Sequence, residues 1–376
     1  MATTINAGTV TLNTGKAVGN INTLNKSLNN VQQPLGKINS NFKEFEKSLD
    51  AATARVVAFT ATTGLIYGIG DAISRLTRDA IEVEAAMTKV QAILKVSDNE
   101  LKNLTGSLFT IANSTGQTFG EAAKALEEFA RQGLNTEKTL KATEAALIVA
   151  RLSGANLEDT INGLVATVSS FSNELLDYGR VANTLVGIDA KFSTSAAGLI
   201  EGIKRVGSVA SDAGVTFEEL SSAIAAVRQV TGRSESVIGN GLKTIFTNLQ
   251  TDKVRNELAK LGIQTQSATG EFLPLISVVD QLAGAFQKLN DAQRADLGQK
   301  IAGKYQINTF KALIQSFGGA DTSLFDQAMN TARMSQDEAI KRNELLNQTT
   351  AATLTKLNNT ITELGASFGN KITKPL

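Results

Sequence analysis

Apolar residues near the start of the chain recur at alternating spacings of four and three: Ala17, Ile21, Leu24, Leu28, Val31, Leu35, Ile38, Phe42, Phe45, Leu49, Ala52 and Val56. A period of about 3.5 places them in one narrow stripe along a helix, and the residues between are mostly Asn, Ser, Lys, Gln and Glu, which do not line a core. Such a stripe calls for a partner helix. No matching ladder follows across a short loop, so the pattern predicts self-association of several copies, with Ile21, Leu24, Leu28, Val31, Leu35, Ile38, Phe42, Phe45 and Leu49 as the seam. An amphipathic helix docked on its own domain is the alternative reading. Pro34 removes a backbone donor at a cost of about 3 kcal/mol in a helix interior, which predicts a kink or break near Pro34 and Gly36.

Downstream the pattern reads as helix after helix. Between about Ala72 and Lys95, the residues Ile73, Leu76, Ala80, Ile81, Val83, Met87, Val90 and Leu94 form a helical face. Ser97 followed by Glu100 is a capping box that starts the next helix. A corner signature then occurs three times: Gly116, Thr118 and Glu121; Gly154, Asn156 and Asp159; Gly214, Thr216 and Glu219. Its physics is local. Gly accepts the left-handed conformation that ends one helix, Thr or Asn caps the next, and the acid three residues on suits the exposed amides of an N-terminus. No ligand is needed to account for it.

Two stretches depart from this pattern. Residues Ile263 to Leu273 carry a Thr269-Gly270 turn signal with partial alternation, which predicts a small hairpin or extended excursion. From Val56 to Gly70 the chain has no charge, yet a membrane span needs about 20 apolar residues, so a buried or weakly apolar helix is expected. After about Gln336 one helix is expected almost to the end, carrying Ile340, Leu345, Leu346, Leu354, Leu357, Ile361 and Leu364. The abrupt finish at Pro375 and Leu376 suggests that the natural protein continues.

Composition narrows the chemistry. Among 376 residues there is no Cys, His or Trp, which removes imidazole and thiolate catalysis and the usual zinc and haem ligands. With 37 basic and 36 acidic residues the charges balance, and no basic stripe offers phosphate contacts for nucleic acid. The start, Met1-Ala2-Thr3-Thr4-Ile5, lacks the signature of a secretory signal, so retention in the producing cell or carriage within a particle is expected. Glu235 followed by Ser236 resembles the acid of a transglycosylase, but Ser234 to Ser236 reads better as a capped helix start. The pairs Glu127-Glu128 and Glu218-Glu219 read as solvated faces.

Taken in order, four blocks resemble the tail tape-measure proteins of tailed bacteriophages. They are Ser114 to Leu134, Ser153 to Asp159, Val206 to Leu220 and Ile238 to Leu249, followed by Leu261-Gly-Ile263 leading into Gly270 to Pro274. The resemblance covers about residues 80–320. It implies a virion component that occupies the tail-tube lumen during assembly, sets tube length and leaves ahead of the genome. It further implies a homo-oligomer with a trimer favoured, and as partners the tail tube protein, tail assembly chaperones, tail tip or baseplate proteins, and the host inner membrane at ejection. Localisation would be the virion, with the host cytoplasm during assembly.

The sequence therefore predicts an all-α protein. Its expected parts are an N-terminal coiled-coil helix at 1–60, a weakly apolar helical connector at 61–96, a multi-helix core with corner motifs at 97–320, and a long C-terminal helix at 335–376. The expected function is that of a structural ruler, with no catalytic set, no cofactor, no metal and no specific nucleic acid. A bacterial coiled-coil scaffold or envelope protein is the alternative, and a transglycosylase-like enzyme the lesser one.

Overall fold

Capping residues and left-handed turns cut the helix-forming pattern into short pieces. The computed structural model describes residues 63–318 and 323–372, and the described residues form sixteen α-helices and no strand. In chain order these are α1 (Thr63–Leu94), α2 (Asp98–Thr115), α3 (Phe119–Ala130), α4 (Thr136–Ser153), α5 (Leu157–Ser170), α6 (Tyr178–Asp189), α7 (Ala196–Asp212) and α8 (Phe217–Thr231). Then come α9 (Glu235–Leu249), α10 (Asp252–Lys260), α11 (Leu275–Phe286), α12 (Asp291–Ala302), α13 (Ile307–Phe317), α14 (Leu324–Arg333), α15 (Glu338–Leu346) and α16 (Thr350–Ile372). The class is all-α. The N-terminal ladder and the expected break at Pro34 lie outside the described residues.

The chain divides into two compact units, one of residues 1–85 with 353–376 and the other of Ala86–Ala352. In the first, the described residues belong to the greater parts of α1 and α16. The uncharged stretch that begins at Val56 reaches into α1 at Thr63, and no helix among the described residues is long and apolar enough to cross a membrane.

The second unit is built around α8. From Leu220 to Val227 every residue of that helix is fully buried, as expected of a helix covered on all sides. Ala223, Ala225 and Ala226 keep it thin, and it packs against α14, α13, α7 and α9. The most extensive helix pair is α7 with α9. There Gly202 and Gly239 are both buried and face each other, and a Cβ on Gly239 would stand 3.0 Å from the Gly202 carbonyl carbon. Small residues on both helices let the backbones approach. On one side α2 to α5 pack successively, with α4 in contact with α2, α3, α5 and α6, and on the other α9 to α13 close the core. The last helices then return: α14 packs on α8 and α6, and α15 on α6 and α4.

One expectation is met in its smaller form and one needs revision. The turn at Thr269-Gly270 forms only an isolated antiparallel bridge between Gln266 and Phe272, supported by Ser267 N–H to Glu271 O at 2.8 Å and Leu273 N–H to Thr265 O at 3.1 Å. The single helix expected after Gln336 is two, α15 and α16, separated at Asn347 to Thr349. Thr349 caps the start of α16, its Oγ1 accepting from Ala352 N–H at 3.3 Å.

Candidate functional site at the helix corners

The three corners share one local geometry. At the first, Gly116 has φ +64°, Thr118 caps α3 and accepts from Glu121 N–H at 3.2 Å, and the Glu121 carboxylate accepts from Thr118 N–H at 2.9 Å. At the second, Gly154 has φ +65° and the Asn156 side-chain Oδ1 accepts from Glu158 N–H and Asp159 N–H. At the third, Gly214 has φ +71° and Thr216 and Glu219 repeat the reciprocal capping box. Thr118 and Thr216 thus satisfy donors that a helix start leaves open. The apolar residue after the first and third caps turns inward: Phe119 stacks on Phe109 at 4.1 Å between centroids, and Phe217 meets Phe171 edge-on at 5.9 Å, whereas Leu157 after the second is half-buried.

What the signature does not reveal is that two corners seat distant parts of the chain. At the first, the carbonyls of Ser114 and Thr115 end α2 without partners inside the helix. Arg151 Nη1 donates to Thr115 O at 2.7 Å, to Asn343 Oδ1 at 2.9 Å and to Asn347 Oδ1 at 2.7 Å. Asn343 Nδ2 donates to Ser114 O at 2.7 Å, and Asn347 Nδ2 donates to the same oxygen. The guanidinium has carbonyls and amides around it where a carboxylate would be usual. Burial pulls its pKa below the ordinary arginine value, and the negative end of the α2 dipole favours the charge it retains. Gly116 completes the seat, because a Cβ there would lie 2.6 Å from Arg151 Cζ.

The third corner receives the segment before α11: Ala213 O accepts from Leu275 N–H at 3.1 Å. A Cβ on Gly214 would rest 3.5 Å from Pro274 Cα. At the second corner the space above Gly154 is open, and an exposed pair joins Lys124 to Glu158 at 2.9 Å.

The acidic residues singled out in the sequence divide by partner. Glu127 and Glu128 both grip Arg131, at 2.5 Å and 3.0 Å. Glu218 is buried, contrary to a solvated face, and pairs with Arg180 at 2.6 Å. Beside it, Glu174 accepts from Phe217 N–H at 2.9 Å. Burial, opposed by that N–H, pushes the Glu174 carboxyl above the usual range. Ser234 begins α9 with no side-chain cap. The neighbouring Glu235 is buried and accepts from Thr194 Oγ1 at 2.7 Å, with Arg228 Nε at 3.4 Å. Its carboxylate ties the α6–α7 connection and α8 to the start of α9. Among the described residues no group of three or more carboxylates gathers as a metal site would. The geometry defines a helical packing module whose polar side chains lock helix ends.

The chain belongs to the phage-related minor tail protein family, whose sequence model matches residues 109–303. That span runs from α2 to the end of α12 and includes all three corners. The chain is similar to the tape measure protein of Pneumococcus phage Dp-1, with 23% identity over 237 residues, covering 62% of this chain and 20% of that protein. It is similar also to the probable tape measure protein of Escherichia phage P2, with 23% identity over 252 residues, covering 65% of this chain and 30% of that protein. The chain thus spans less than a third of the length of these curated relatives. No solved structure matches it.

Proposed function

We propose that this chain carries the tape-measure function of a phage tail: it lies in the tail-tube lumen during assembly, limits tube length, and leaves ahead of the genome. The observation that carries the reading is the match of its corner-built domain to two tape measure proteins across more than three fifths of the chain. The family places it among phage tail proteins. On this reading its role is mechanical rather than enzymatic, and the commitment of Glu218 to Arg180 and of Glu235 to Thr194 and Arg228 supports that.

The parts follow from the pattern. The ladder at 1–60 multimerises the protein, a trimer being favoured, through Ile21, Leu24, Leu28, Leu35, Ile38, Phe42 and Phe45. The helical connector follows at 61–96, and the corner domain at 97–320 is a compact body that adds no extended length. Its partners are the tail tube protein, assembly chaperones, tip or baseplate proteins, and the host inner membrane at ejection.

The test is tail length by electron microscopy after four heptads of the ladder are duplicated in frame in the producing phage. Four heptads add about 42 Å if helical. A tail longer by that amount establishes a ruler with this segment along its axis. An unchanged length with intact infectivity refutes the measuring role of the segment.

A further inference from the structure

A cavity of about 310 Å³ opens where the α6–α7 connection crosses α14 and the last turn of α8. It is lined by Lys191 and Phe192 of the connection, Gln229 of α8, and Leu324, Gln327 and Thr331 of α14. The last three follow one another at spacings of three and four, so a single stripe of α14 forms the long wall. The volume stands at the lower end of the range of about 300–1,000 Å³ that ligand pockets occupy.

The lining is held from behind. Lys191 N–H and Phe192 N–H both donate to Ile188 O at 3.0 Å, which carries the last turn of α6 into the connection. Arg228 Nε donates to Ser193 O at 3.0 Å, and Ser193 N–H donates to Gln229 Oε1 at 3.0 Å. With its oxygen taken by that N–H, the Gln229 carboxamide keeps Nε2, a donor, for a ligand.

Lys191 adds a positive charge that nothing balances. It makes no ion pair among the described residues, and the carboxylates close to the lining are engaged elsewhere. Asp189 accepts from Ala196 N–H at 3.1 Å, Asp326 accepts from Ser323 Oγ at 2.7 Å, and Glu235 holds Thr194 and Arg228. Two donors, one of them charged, therefore stand beside the apolar side chains of Phe192 and Leu324. That combination fits a carboxylate on an apolar stem. Lys191, Gln229 and Gln327 are exposed, so the cavity is too open to cover the roughly 70–90% of a small molecule's surface that a ligand site buries. A carboxylate held here arrives on a larger body.

We propose that this cavity docks an acidic side chain on an exposed segment of another tail protein, its carboxylate on Lys191 Nζ and Gln229 Nε2 and its stem on Phe192 and Leu324. The inference goes beyond the ruler reading, because it concerns where a partner is held and its test does not read tail length.

A water-soluble carbodiimide joins a lysine amine to a carboxylate where the two are in contact. In purified tails of the producing phage, mass spectrometry should find Lys191 joined to an Asp or Glu of a different protein. Gln229→Glu keeps the acceptor for Ser193 N–H at nearly constant volume but sets a carboxylate beside Lys191, so the join to the partner should fall about tenfold or more. Lys191→Arg keeps the charge without the amine and should remove the join while tails still form. Both residues are exposed, and melts of the purified variants should match the parent. Glutarate, a free acid, titrated into the purified protein at millimolar concentration should give no heat of binding. Lys191 left unjoined while other lysines of the chain are joined, a join to this chain alone, or a partner join unchanged by Gln229→Glu overturns the proposal. Saturable glutarate binding that Lys191→Ala abolishes also overturns it, since the cavity would then serve a free acid.

Discussion

Replacing Gly239 by Ala tests whether the close crossing of α7 and α9 organises the second unit. An alanine in an unobstructed helix interior is more favourable than glycine by about 1 kcal/mol. At Gly239 the added Cβ would stand 3.0 Å from both Arg205 Cβ and the Gly202 carbonyl carbon, and nearer still to the Gly202 carbonyl oxygen. Carbon contacts settle at about 3.5–4.0 Å, so α7 and α9 must part by about 0.5–1 Å. Two of these neighbours are backbone atoms, which cannot rotate away. Overpacking of this kind costs about 1–3 kcal/mol and sometimes more. After subtracting the propensity gain, a net loss of about 1 kcal/mol is expected, a fall in Tm of about 2–4 °C for a unit of this size. Gly106 is the control. It lies exposed within α2, and an added Cβ there would meet nothing within 4 Å, so Gly106→Ala should raise Tm by about 2–4 °C. Both are read by calorimetry on the same preparation. Gly239→Ala melting at or above the parent, with Gly106→Ala also raised, would refute the reasoning.

Three further outcomes follow from the structure. Thr309 Oγ1 is buried without a hydrogen-bond partner, so Thr309→Val should stabilise by about 1 kcal/mol in urea unfolding, and a loss of stability would reveal an unseen partner. Thr118→Ala removes the cap of α3 and should cost about 1 kcal/mol, whereas Glu121→Gln keeps both halves of the box and should cost less in the same melts. Burial holds the Glu144 carboxyl above the usual range, so its charge opposes folding above its folded-state pKa. Glu144→Gln should therefore raise Tm at pH 7, and the gain should vanish as pH falls below the unfolded carboxylate value; a gain that stayed constant with pH would dissociate it from ionisation.

Whatever is settled within one turn of helix was legible in the order of residues. Thr118 with Glu121 and Thr216 with Glu219 stand three residues apart, so the same short stretch supplies donor, acceptor and backbone conformation, and the pattern is visible without a fold. The all-α class follows from these caps together with the helical period of the apolar residues. Other features exist only once the helices are packed. Arg151 finds Thr115 across 36 residues and Asn347 across 196, Glu235 finds Thr194 across 41, and the intervening chain gives no sign of either meeting. For the same reason Glu218 looked like half of a solvated pair until α6 brought Arg180 beside it. The seating of Asn347 divides between the two. Thr349 caps α16 from within the local sequence, accepting from Ala352 N–H at 3.3 Å, whereas the bonds that seat the Asn347 side chain come from Ser114 O and the Arg151 guanidinium, which only the folding of α2 and α4 places within reach.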